Sequence, residues 1–145
     1  MKNTLMLLML TIGSIGFSQT DTLIYDIINA VSAERIESDV TTLVNFGTRH
    51  TLSDTVSQTR GIGAARRWIK SEFDKISGDC NDCLEVFYQK NLIPKGDNAR
   101  IVKDVEVVNV VAIQRGTKFP NRFIIMSGDI DSRVSDPTNY TSDSP

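Results

Sequence analysis

Asp129 and Asp131 stand two residues apart, directly after an apolar run (Phe123, Ile124, Ile125, Met126) that closes with Ser127 and Gly128. In an extended chain, residues two apart point to the same side, so both carboxylates face one pocket. Two carboxylates held that close need a cation between them, a shared proton, or a basic partner such as Arg133. Two further sets of residues have chemistry to offer. Cys80 and Cys83, spaced Cys-Asn-Asp-Cys, read as a disulfide closing a small loop or as unpaired thiols. A redox pair usually opens a helix after a strand, whereas this one precedes a strand, and a zinc knuckle needs a second pair. His50 is the single histidine and lies in a polar stretch, 48–57, so it reads as a solvated loop side chain. A metal ligand would need partner ligands and hydrogen-bonded support.

The aspartates need an element to present them. Residues 123–126 show no polar alternation, which predicts a central strand covered on both faces by helices. In open α/β sheets, ligand-binding groups collect just beyond the carboxyl ends of the strands, where Asp129 and Asp131 fall. Before it, 105–113 predicts a strand inside the sheet and 84–90 a shorter one. The short turn at 116–121 implies antiparallel or mixed pairing. Helices are predicted over 23–31, over 33–44 with Ser32 as N-cap and an apolar face of Ile36, Val40, Leu43 and Val44, and over 59–76. Gly61 and Gly63 at the last helix start have no third glycine and no preceding strand, so they suit close packing better than a phosphate loop. Arg66 and Arg67 read as a solvated face. Residues 134–145 are polar and expected to be mobile, with a glycosylation pattern at Asn139.

With 145 residues, 40% hydrophobic and 23% charged, the chain has the composition of one small globular domain. Residues 1–18 place one basic residue, a short apolar stretch and small residues at Gly16 and Ser18, a secretory signal pattern. Thr11, Gly13, Ser14 and Gly16 interrupt the stretch, so no stable membrane span is expected after cleavage. Export to a periplasmic or extracellular location follows. Cleavage removes Lys2 and no acid, taking the formal charge from −2 to −3. No basic stripe points to nucleic acid.

The segment from Ser127 to Ser132, preceded by 109–116, resembles the first metal-ligand segment of the secreted co-catalytic zinc aminopeptidases, the family that includes glutaminyl cyclases. Residues 43–49 (Leu-Val-Asn-Phe-Gly-Thr-Arg) and 60–69 are similar to that family's N-terminal segment and first long helix, so the resemblance covers roughly residues 35–133. It implies an α/β fold with a mixed sheet flanked by helices, an αβα sandwich incomplete in this chain. Residues 19–145 would form its N-terminal part, the whole domain being roughly twice this length. It also implies two zinc ions, hydrolysis of N-terminal peptide bonds, and peptide or protein N-termini as substrates. Asp129 falls at the first zinc ligand and Asp131 at the aspartate that orients it in catalysis; the other ligands and a glutamate general base would lie beyond residue 145. Alone, the chain would be inactive.

The family usually carries Gly-His-x-Asp-Ser, so Asp129 stands in place of histidine. A carboxylate still binds metal but favours oxygen-preferring ions more than imidazole does. An ionised Asp129 also has no proton to donate to Asp131. Two rival readings share the fold: a non-catalytic relative with a binding or assembly role, and a glutaminyl cyclase-like transferase. Fold alone does not separate them.

Overall fold

The computed structural model describes residues 21–143, so the signal pattern at 1–18 lies outside the described residues. The chain divides into two compact units, one ending at Ile36 and one beginning at Glu37.

In the first unit, α1 (Thr22–Asn29) opens on Asp21, whose carboxylate accepts from the Leu23 N–H at 3.0 Å. Helix α2 (Ala33–Asn45) opens on Ser32, whose hydroxyl accepts from the Arg35 N–H at 3.1 Å and donates to Glu34 at 2.9 Å. Each cap satisfies an amide that has no partner inside its helix. The helix runs on into the second unit and stops before Gly47, whose φ of 65° favours a residue without Cβ. The expected burial of its apolar face does not occur: Val40 and Val44 stay 54% and 52% exposed, because the described residues leave that face largely uncovered.

Helix α3 (Gly61–Asp79) carries the core of the second unit, with Ile62, Ala64 and Ala65 at its buried start. Its first amides are taken up locally: Gly61 N–H donates to the Phe46 carbonyl, Ile62 N–H to Ser53 Oγ and Gly63 N–H to the Asp54 carbonyl. A Cβ on Gly61 would lie 2.4 Å from the Asp54 carbonyl oxygen, and one on Gly63 2.3 Å from that of Thr55. The two glycines therefore admit a backbone, not a phosphate. At the other end, Cys80 and Cys83 form a disulfide across a turn in which Asn81 and Asp82 both have φ near 58°. Ser77 Oγ accepts from the Leu84 N–H at 3.2 Å and donates to its carbonyl at 3.0 Å, fixing the exit into the sheet.

Strands β1 (Leu84–Ile93) and β2 (Val105–Gln114) pair antiparallel, with Leu84 opposite Gln114 and Ile93 opposite Val105. Helix α3 packs against both. Only these two strands form a sheet among the described residues, so β2 is paired along one edge rather than enclosed.

The predicted central strand is absent. Residues 122–130 form no ladder, and Phe123, Ile124, Ile125 and Met126 are 64%, 94%, 88% and 92% exposed. A central strand needs hydrogen-bonding partners beside it and helices over both faces, and the described residues supply neither. The observed architecture is a small mixed α/β arrangement: three helices and a two-stranded antiparallel sheet among the described residues.

Candidate functional site

The aspartate segment owes its position to a loop 81 residues earlier in the chain. Gly47 turns the chain out of α2 and leads into Thr48, Arg49 and His50, which gather the residues that follow Asp129. Arg49 donates from Nε to the Ile130 carbonyl at 2.8 Å, and its backbone N–H donates to Ser132 Oγ at 3.1 Å. Its remaining guanidinium contacts go to the Leu43 and Gly47 carbonyls. Arg49 thus ties the end of α2 to the residues on both sides of Asp131, through its side chain at Ile130 and its backbone amide at Ser132. Burial, the larger influence, pushes the Arg49 guanidinium down, and the Asp131 carboxylate opposes it. An arginine stays charged throughout, so Asp131 has a permanent cation nearby.

His50 is a second tether rather than a solvated side chain. The Leu52 N–H donates to Nδ1 at 3.0 Å, and Nε2 lies 3.1 Å from the Pro137 carbonyl. An amide can only donate, so Nδ1 bears the lone pair and Nε2 the proton, which it donates to Pro137. Neither ring nitrogen is left for a metal. The His50 ring also stands 6.3 Å from that of Tyr140, over which Lys103 places its ammonium at 5.1 Å. Thr48 N–H donates to the Asp143 carboxylate at 3.3 Å, and Arg60 forms an ion pair with the same group. The stretch expected to be mobile, 134–145, is therefore held at Pro137 and Asp143, and the residues just before it at Ile130 and Ser132.

Asp129 and Asp131 are both exposed. Among the described residues, no three or more His, Cys, Asp or Glu side chains are grouped so as to hold a metal ion. Zinc takes at least three protein ligands, so the donors present do not by themselves fit a zinc centre. No described helix is long and apolar enough to cross a membrane.

The reading of His50 as a solvated side chain misses its tether, as does the placing of Arg49 in the 43–49 motif, because both roles show only when residues 49 and 50 meet residues 130–137. Arg66 carried a readable signal. It follows Ile62 by four residues and precedes Ile69 by three, which puts it on the apolar stripe of α3. It is 8% exposed, and the reading of a solvated face is wrong for it.

No family model and no solved structure matches the chain. Proteins similar to it include a probable zinc metalloprotease of Leptosphaeria maculans, 46% identical over 118 residues, which span 81% of this chain and 27% of that protein. A probable zinc metalloprotease of Pyrenophora teres f. teres is 47% identical over 118 residues, 81% of this chain and 24% of that protein. One of Pyricularia oryzae is 44% identical over 115 residues, 79% and 22% respectively. The chain spans about a quarter of the length of these relatives. It is homologous to one stretch of proteins that carry a zinc metalloprotease name.

Proposed function

We propose that this chain provides the first ligand segment of an exported, zinc-dependent aminopeptidase, with Asp129 as a metal ligand and Asp131 as the carboxylate beside it. The observation that carries the reading is the identity of 46–47% over 118 residues to probable zinc metalloproteases. Cleavage at the N-terminus of peptides, a pair of zinc ions, and export after removal of residues 1–18 are the finer parts of the proposal. They rest on the resemblance of residues 127–132 and on the signal pattern. Within it, Arg49 is a positioning residue: by holding Ile130 and Ser132 it sets the direction in which Asp131 leaves the backbone. The remaining ligands and the general base belong to sequence outside residues 1–145, so the chain alone does not hydrolyse peptides.

The test uses the gene product that contains this chain. Its zinc content and its hydrolysis of leucyl-p-nitroanilide would be measured with and without a chelator. The same peptide would also be offered with a free and with an acetylated N-terminus. Chelator-sensitive hydrolysis confined to the free N-terminus, with less zinc bound by Asp129→Ala, is the expected result. Equal cleavage of the acetylated peptide would replace the aminopeptidase by an endopeptidase. Zinc-free protein without hydrolysis would favour the non-catalytic relative. Ring closure of an N-terminal glutamine would favour the cyclase.

A further inference from the structure

Between α3, the loop at 51–55 and the β1–β2 sheet lies a cavity of about 450 Å³. Its wall carries four cationic side chains, Arg66, Arg67, Lys90 and Lys103, against two carboxylates, Asp104 and Glu106. Most of these charges have partners. Arg67 donates to the Thr55, Val56 and Ser57 carbonyls. Lys90 pairs with Glu106 at 3.2 Å, and Asp104 accepts from the Lys95 N–H at 2.8 Å. Arg66 is different. The Nε of Arg66 and that of Arg67 are both buried with no hydrogen-bond partner, but Arg67 bonds through its other two nitrogens, whereas the guanidinium of Arg66, a residue 8% exposed, makes no hydrogen bond among the described residues. Burial lowers its pKa, with Glu106 and Tyr88 opposing from a distance. A guanidinium does not deprotonate in a protein, so the charge persists in a place where leaving it uncompensated is costly.

We infer that this cavity is a binding site for a small oxyanion, a phosphate or carboxylate group held by the Arg66 guanidinium with Lys103 at the rim. The charge of the wall agrees with an anion. The two carboxylates that would hold a cation are already engaged, and the excess charge is positive. Arginine presents its N–H groups in a planar fork that matches two oxygens of one oxyanion. The Tyr88 hydroxyl, also on the wall, is a further donor. The site is separate from Asp129 and Asp131, which do not line the cavity, and it does not depend on the peptidase reading.

The experiment follows the Arg66 Nε–H resonance of the 145-residue chain by NMR while inorganic phosphate is added, and in a second arm acetate. A saturable shift of that resonance is expected. Saturation by phosphate alone, acetate alone or both identifies the oxyanion. Lys103→Ala, which removes an exposed side chain, is expected to weaken binding about two- to fivefold, with the backbone amide spectrum of the variant checking that the fold is kept. Arg66→Met is expected to weaken it at least about tenfold, read from the shifts of neighbouring amides. The absence of a saturable Arg66 shift in both arms would overturn the assignment. So would shifts confined to surface lysines, or affinity that is the same in Lys103→Ala as in the parent chain.

Discussion

Arg49 donates its Nε–H to the Ile130 carbonyl across 2.8 Å and 81 residues of sequence. That bond, with the Ser132 hydroxyl accepting from the Arg49 amide, decides where the aspartate segment lies. Local structure does not, since residues 122–134 form neither helix nor strand.

Replacing Arg49 by Met should therefore release the segment. Hydrogen bonds from a charged donor contribute about 1.5–3 kcal/mol each where partly buried, and the unfolding free energy should fall by an amount of that order. Trypsin should cut after Arg133 several times faster in the variant while cutting after Lys95 at an unchanged rate. Equal rates at Arg133 would show that other contacts hold the segment.

The two helical glycines Gly63 and Gly78 should respond in opposite ways to alanine. At Gly63 the new methyl would meet the Thr55 backbone at 2.3 Å, and forcing backbone apart costs about 1–3 kcal/mol. At Gly78 nothing lies within 4 Å, so alanine should raise stability by up to about 1 kcal/mol through helix propensity. Urea midpoints of the two variants check both signs together.

Opening the Cys80–Cys83 disulfide should have a modest effect. A loop this short removes little entropy from the unfolded chain, so Cys80→Ser with Cys83→Ser should cost about 2 kcal/mol or less. A loss much above that would mean that the turn holds the end of α3 as well as its own geometry.

Stability should decline in acid, partly through Asp54. Its carboxylate accepts from the Ser57 and Val56 N–H groups at 2.9 and 2.7 Å, which holds it below its ordinary value of 3.8. A carboxyl group with a depressed folded pKa contributes stability above its unfolded pKa and loses it as pH falls through the folded one. Asp54→Asn should flatten the dependence of the urea midpoint between about pH 4 and pH 2 without removing it, because Asp136 and Glu34 are shifted the same way. An unaltered acid slope in the variant would exclude Asp54 as a contributor.

Ile124 and Ile125 offer the sharpest contrast between a strand and the observed loop. At 94% and 88% exposure, lysine at either position should alter stability by no more than about 0.5 kcal/mol and should improve solubility. Burial in a central strand would instead make each change cost several kcal/mol.

Where a single element's own residues determine it, the sequence was a sufficient guide. Ser32 caps α2, Gly47 ends it, α3 follows its apolar stripe, and β1 and β2 lie where β-branched residues cluster. These features depend on neighbours three or four residues away, or on a period of two, and such patterns are written locally. The tertiary structure decided what depends on partners distant in sequence. Residues 123–126 have the composition of a core strand but no strand beside them, and Arg66 is buried because the sheet covers its side of α3. Arg49 and His50 became tethers only when Ile130 and Pro137 came within hydrogen-bonding reach. Burial and pairing belong to two surfaces at once, and a linear sequence specifies each surface without saying which other surface it meets.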